Sequence, residues 1–286
     1  VEFAEHRYRS ADGKLDLFAR DYPGEGPALL LMHGLTRNSA DFEPLAACLS
    51  GRYRLIVPDQ RGRGLSQPDS DRANYRPDIY VQDMFVLLDG LAIDRAGLIG
   101  TSMGGLMAMI MASMQPDRIP AIVLNDIGPE IDPAGLRRIA GYVGPGEPFA
   151  TWAEAAARCK AINQDAFPDF TGRDWNDFAQ RTCREGEDGR IAFAYDPAIA
   201  AGFQNEGGVA PPDLWPLWDA LAAVPVLLLR GELSDLLSAG TARQMARRHP
   251  GPFSRVDVPR RGHAPLLDEP EAFAALETFL ARYVGE

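Results

Sequence analysis

A chain of 286 residues with 46% hydrophobic and 24% charged residues holds enough apolar material for a large core and is not the composition of a disordered chain. Its formal net charge is −11, and no run of Lys or Arg interrupts it, so the basic footprint that nucleic acid or an anionic membrane surface requires is missing. No apolar run reaches the ~18–20 residues of a membrane span, which leaves a small-molecule substrate as the expected partner.

In chain order, residues 5–9 and 14–21 read as two strands joined by the turn Asp12-Gly13, an antiparallel edge. The unbroken apolar run Ala28 to Met32 has strand length and suits a strand buried on both faces; it ends at His33-Gly34-Leu35-Thr36. Helical periodicity over 41–50 is followed by a buried strand at 54–57 and the loop Asp59-Gln60-Arg61-Gly62-Arg63-Gly64-Leu65-Ser66. A helix over 78–92 precedes the strand leading to Leu98-Ile99-Gly100-Thr101-Ser102-Met103-Gly104-Gly105. This G-x-S-x-G sequence reads as strand, sharp turn and helix with Ser102 at the apex, its glycines allowing strand and helix to approach closely. An ordinary glycine-rich turn would have the same five-residue pattern, so the rest of the chain has to decide.

The helix at 103–115 is apolar on nearly every side, and its methionines at 103, 107, 111 and 114 read as packing rather than as a metal stripe. After a strand at 121–126, the alternation of strand and helix breaks over residues 128–219. That stretch holds Trp152, Trp175, Trp215 and Trp218 with Phe149, Phe167, Phe170, Phe193, Tyr195 and Phe203, and reads as a helical insertion. Alternation resumes with a strand at 225–229, a helix at 239–249, a strand at 255–258 and a helix at 270–283. The pattern predicts a mostly parallel sheet with helices on both faces, whose ligands bind beyond the carboxyl ends of the strands.

A serine hydroxyl needs a histidine base, and the histidine needs a carboxylate to fix its tautomer. Of the four histidines, His6 lies in the hairpin and His249 ends a helix, where structural roles suffice. His33 closes a buried strand and shapes its loop, which leaves His263, in the loop after the last strand, as the base. For the acid, Asp235 follows the strand at 225–229 and gives the chain order Ser, Asp, His, with Glu232 and Asp126 as competitors and a helix cap as the alternative role for Asp235. The backbone N–H groups of Met103 and Leu35 are placed to serve as an oxyanion hole.

These ordered motifs, His33-Gly34, the Asp59 to Ser66 loop, the elbow Gly100 to Gly104, the acid loop at Asp235 and Gly262-His263, resemble the α/β-hydrolase fold superfamily, in its branch of cofactor-free serine hydrolases with a helical cap. The resemblance implies an α/β core over 1–127 and 220–286 with a cap (lid) over 128–219. It also implies Ser102 as nucleophile, His263 as base and Asp235 as its partner, with no metal or other cofactor. The Asp59 to Ser66 loop resembles a structural motif of the family and receives no chemistry. Ser102 sets the chain apart from superfamily members with an aspartate nucleophile, the haloalkane dehalogenases and epoxide hydrolases. A carboxylic ester is the first substrate class; lactones and the carbon–carbon bonds of ring-fission products are alternatives for the same triad. A slow-turnover receptor, a lyase or a cofactor-free oxygenase on the same fold are further readings, separated from a hydrolase by repeated turnover of an activated ester. Within the insertion, Phe149, Trp152, Phe167, Trp175 and Tyr195 are expected to contact substrate. The three cysteines, Cys48, Cys159 and Cys183, are spaced as neither a zinc site nor a disulfide framework, and read as small core residues of a reducing, cytoplasmic compartment. The first residue, Val1, follows no visible leader, and a leader trimmed ahead of it would change that localisation.

Overall fold

The apolar runs become the centre of an eight-stranded sheet in the computed structural model, which describes residues 1–201 and 213–285. Phe203 lies outside the described residues. Strands β1 (Ala4–Arg9) and β2 (Asp16–Tyr22) form the expected antiparallel hairpin, with Gly13 at φ +70° in its turn. They are followed by β3 (Ala28–Met32), β4 (Arg54–Asp59), β5 (Ala96–Thr101) and β6 (Ile122–Asn125). Beyond the insertion come β9 (Val226–Gly231) and β10 (Phe253–Val258), giving the order β1-β2-β4-β3-β5-β6-β9-β10. Only β2 runs against the other seven strands, and all pairings from β4 to β10 are parallel.

Side chains of a strand point alternately to opposite faces, so a strand apolar at every position supplies two cores at once. In β3, Leu30 and Met32 enter one core while Leu29 and Leu31 enter the other. The first core is covered by α2 (Pro77–Gly90), α3 (Met103–Met114) and α8 (Ala239–Arg248); the second by α1 (Glu43–Leu49) and α9 (Pro270–Tyr283). Met107, Met109 and Met111 are fully buried in the first, whereas Met114 at the end of α3 is exposed.

Between β6 and β9 the chain leaves the sheet. It forms α4 (Pro133–Ala140), α5 (Trp152–Asn163), α6 (Gly172–Thr182), a 3-10 turn at Pro197–Ala200 and α7 (Trp215–Asp219). It also contains a two-stranded antiparallel ribbon, β7 (Cys183–Glu185) with β8 (Ile191–Phe193), which the expectation of a helical insertion did not include. Three-residue strands around the polar turn 186–190 are too short to show an alternation in sequence. A separate core of Phe167, Trp175, Phe178, Cys159 and Cys183 holds this segment together. Trp218 does not belong to it: its ring is fully buried in the first sheet core, 5.2 Å from the ring of His249. Cys48 is exposed on α1, contrary to its expected place in the core. No helix among the described residues is long and apolar enough to cross a membrane.

Candidate active site

Ser102 sits between β5 and α3 with φ +52° and ψ −115°, a left-handed conformation that an L-residue adopts only when its surroundings enforce it. The glycines explain how. A Cβ on Gly100 would lie 2.3 Å from the Gly104 carbonyl oxygen, and one on Gly104 would lie 2.0 Å from the Met32 carbonyl oxygen. Any larger residue at either position would drive the helix off the strand. The turn therefore raises the Ser102 hydroxyl over the carboxyl ends of the strands, at the start of α3, where the helix dipole is positive.

The loop after β10 brings His263 to this serine. Its Nε2 accepts the Ser102 hydroxyl at 2.8 Å, and its Nδ1–H donates to Oδ2 of Asp126 at 2.8 Å. An ionised carboxylate can only accept, so the proton sits on Nδ1 and the lone pair of Nε2 faces the serine. Two backbone ties fix the loop: Gly262 N–H donates to the Ala166 carbonyl at 2.8 Å, and the Asn125 side-chain amide donates to the Pro265 carbonyl at 2.7 Å. The same Asn125 amide reaches Thr101 Oγ1 at 3.0 Å, linking the elbow to the histidine loop.

The carboxylate on His263 is thus Asp126, at the end of β6, and not Asp235. Asp126 is fully buried; Oδ1 accepts the Gly231 N–H at 2.8 Å, and Oδ2 also accepts the Ser234 hydroxyl at 2.6 Å. Its φ of +58° is one that Asp tolerates better than most residues. Asp235 is engaged elsewhere: its two oxygens accept from Nε and Nη2 of Arg138 on α4 at 2.5 and 2.9 Å. Burial opposes ionisation of Asp235, but the hydrogen bonds and charge of Arg138 outweigh it and hold this carboxyl below the usual range. Glu232, the other competitor, accepts the backbone N–H of Arg260 at 3.1 Å. The loop after β9 therefore reaches the carboxylate on His263 through Ser234 rather than supplying that carboxylate. Chain order is met by either aspartate and could not separate Asp235 from Asp126, because both follow neighbouring parallel strands and reach the same edge of the sheet.

Ser102 and His263 open into a cavity of about 100 Å³. Its floor includes Gly34, Leu35 and Arg37 of the loop after β3; a Cβ on Gly34 would lie 3.8 Å from Ser102 Cβ. Its walls come from the segment after β6, through Ile139, Tyr142, Cys159, Phe178, Phe193 and Thr182. Of the five aromatics expected to contact substrate, Phe167 and Tyr195 line this cavity. Trp175 packs inside the segment's own core with Trp152 against it, and Phe149 faces a neighbouring depression. Phe178 and Phe193 line the cavity and were missed, because aromatic residues in sequence carry no sign of which side of a helix or ribbon faces a ligand. A charge pair joins this floor to the wall: Arg37 donates to both oxygens of Asp41, and its Nη1 donates to Thr182 Oγ1 at 2.5 Å.

His33, next to this floor, is fully buried, and desolvation with the nearby Arg63 charge pushes its pKa down to about 4. Nε2 accepts the Gln60 N–H at 3.1 Å and Nδ1–H donates to the Gly34 carbonyl at 2.7 Å, so both nitrogens are occupied in shaping the loop.

Comparison with known proteins agrees with this architecture. The chain is 34% identical to a 3-hydroxybutyrate-oligomer hydrolase of Cupriavidus necator, covering 90% of this chain and 89% of the relative. It is 32% identical to a 2-(acetamidomethylene)succinate hydrolase of Mesorhizobium japonicum, covering 88% and 86% of the two chains. The crystal structure of an alpha/beta hydrolase from Novosphingobium aromaticivorans superposes with a TM-score of 0.91 at 47% identity over 99% of both chains. A family model described as alpha/beta hydrolase fold matches residues 27–270, and this chain is an enzyme of that hydrolase family.

Proposed function

We propose that this hydrolase cleaves a carboxylic ester of a small apolar or aromatic acyl group through an acyl-enzyme on Ser102. The observation that carries the reading is the continuous relay from Ser102 through His263 to Asp126, with both contacts at 2.8 Å. His263 Nε2 takes the hydroxyl proton as Ser102 Oγ attacks the carbonyl carbon, and Asp126 stabilises the imidazolium. The tetrahedral oxyanion is met by the backbone N–H groups of Met103 and Leu35. Collapse expels the alcohol, which leaves with the proton from Nε2. Water then attacks the acyl carbon, with Nε2 again as base, and releases the acid and free Ser102.

In this reading residues 128–219 act as a lid whose apolar side chains hold the acyl group and exclude water. The relative named as a 3-hydroxybutyrate-oligomer hydrolase makes short hydroxyacyl esters the first substrates to assay. Ser102→Ala is expected to lower kcat by about 10⁴-fold or more while the chain stays folded, and a fluorophosphonate should add to Ser102 alone in intact-protein mass spectrometry. Asp126→Asn should cost on the order of 10⁴ in kcat, since it favours the wrong imidazole tautomer, and Asp235→Asn should cost far less. The opposite ranking of the two aspartates would return the acid to Asp235.

A further inference from the structure

The sequence motif left without chemistry, the loop Asp59 to Ser66, carries an arginine that touches both residues assigned to the oxyanion hole. Arg63 is 1% exposed. Its Nε donates to the Leu35 carbonyl at 3.0 Å, its Nη1 donates to the Arg61 carbonyl at 2.7 Å and the Tyr80 hydroxyl at 2.9 Å, and its Nη2 lies 3.9 Å from the sulfur of Met103. The rings of Tyr80 and Tyr75 face the guanidinium at 5.0 and 5.4 Å. Among the described residues no carboxylate pairs with it. This is unlike its neighbour Arg61, equally buried, which pairs with Asp69 and Asp83. The nearby acids are already committed: Asp59 accepts the N–H groups of Ser39 and Leu65, and Asp196 accepts the Tyr75 hydroxyl and the Ala198 N–H.

A buried cation is ordinarily matched by an anion, because desolvation of a lone charge is costly. Here, among the described residues, the guanidinium makes its hydrogen bonds to carbonyl and hydroxyl dipoles and none to a carboxylate, and it contacts the Leu35 carbonyl and the Met103 sulfur of the two residues that carry the donors. We propose that Arg63 is the positioning residue of the oxyanion hole. It clamps the Leu35 carbonyl, on the peptide that follows the one carrying the Leu35 N–H, and so anchors the residue whose N–H is aimed at the oxyanion. It also braces Met103, and its positive charge, held by no carboxylate among the described residues, favours the negative charge that develops on the substrate oxygen. The inference rests on the serine-hydrolase reading above. It adds to that reading a residue that acts through Leu35 and Met103 without touching substrate.

The loop has a second set of ties that extends this role to the walls of the cavity. Gly64 N–H donates to the Ala194 carbonyl at 2.8 Å and Asp196 N–H donates to the Gly62 carbonyl at 2.7 Å, so Arg63 is bridged backbone to backbone with Tyr195. Tyr195 lines the cavity beside Ser102. The same three-residue stretch therefore holds the oxyanion donors on one side and the acyl-binding wall on the other.

The test compares wild type with Arg63→Met, which keeps length and loses charge and hydrogen bonds, and with Arg63→Lys, which keeps the charge. Each is measured for kcat, KM, melting temperature and inhibition by a trifluoromethyl ketone, whose hemiketal oxyanion mimics the tetrahedral intermediate. Loss of one direct oxyanion donor costs about 10²–10³ in kcat, so loss of the clamp behind two donors is expected to cost roughly tenfold to a hundredfold. KM should stay within about threefold, affinity for the ketone should fall in step with kcat, and Arg63→Lys should recover part of both. A folded Arg63→Met enzyme with wild-type kcat and ketone affinity overturns the proposal. So does a variant whose ketone affinity is unchanged while KM and melting temperature move, which would make Arg63 a structural clamp for the wall alone. If Arg63→Met does not fold, Arg63→Lys decides by the same two readouts. A fluorophosphonate that fails to label Ser102 in the wild type removes the serine-hydrolase reading and the Arg63 proposal with it, and this outcome is distinct from a labelled wild type with an indifferent Arg63.

Discussion

At the scale of single residues, the site depends on groups kept in one protonation state by what surrounds them. His33 is the clearest case: it must be neutral, since Nε2 accepts from Gln60 and a proton there would face another N–H. Its pKa of about 4 in the folded chain, against about 6.5 when unfolded, means that the unfolded state binds the extra proton first as pH falls. The stabilisation is complete above pH ~6.5 and is lost between there and pH ~4, by about 3 kcal/mol for a shift of this size. His33→Gln, which cannot titrate, should therefore show a flatter stability curve in urea titrations between pH 4 and 6.5 than the wild type. Parallel curves for the two proteins would mean that His33 is protonated as readily in the fold as out of it. That Ser102 and His263 would meet at one edge of the sheet was legible in the sequence, because a glycine-flanked serine after one strand and a histidine after the last strand both reach that edge. Which carboxylate would meet His263 was not, because Asp126 and Asp235 both lie in loops after adjacent parallel strands, and only side-chain direction separates them.

At the scale of elements, the pairing that occupies Asp235 has a consequence of its own. Arg138 lies on α4 next to Ile139, a cavity wall residue, and its two-pronged contact with Asp235 ties that helix to the loop after β9. The Asp132 side chain caps α4 at its other end. Both partners are about one-third exposed, so the ion pair contributes at most about 1 kcal/mol to stability. Its expected value is in placing α4. Arg138→Ala should leave kcat within about twofold and raise KM roughly threefold for substrates that reach Ile139, with a small change in melting temperature. A large loss of kcat with unchanged KM would instead connect Asp235 to the chemistry. The strands of the core were legible within a few residues because β3 and the first positions of β5 and β9 are buried on both faces and apolar throughout. The β7–β8 ribbon was not, since its register is set by the turn at Gly189 and by contacts with residues far along the chain, such as Phe149 paired with Ile191.

At the scale of the whole molecule, the loops at the sheet's edge carry Ser102, Asp126 and His263 and the segment between β6 and β9 lines most of the cavity, so under the proposed function mutations in the two parts should separate rate from preference. The aromatics of the segment divide accordingly. Phe193 and Tyr195 are half-buried, face the cavity, and stack with centroids 5.8 Å apart. Trp175 is enclosed by Phe170 at 5.0 Å, Phe178 at 5.7 Å and Phe167 at 6.2 Å and does not reach the cavity. Truncating a cavity wall removes contact with the acyl group at about 25 cal/mol per Å², whereas truncating a buried tryptophan leaves a hole costing about 3–5 kcal/mol of stability. Phe193→Ala and Tyr195→Ala are therefore expected to shift kcat/KM among esters of increasing acyl length, several-fold in favour of longer chains, with a melting temperature near that of the wild type. Trp175→Ala should melt well below the wild type yet, at a temperature where it is folded, retain the wild-type order of preference. Measuring kcat/KM across the ester series together with thermal melts decides between them. A Trp175→Ala enzyme with altered preference and unaltered stability would place that ring against the substrate, and unchanged preference in both Phe193→Ala and Tyr195→Ala would remove these two rings from specificity.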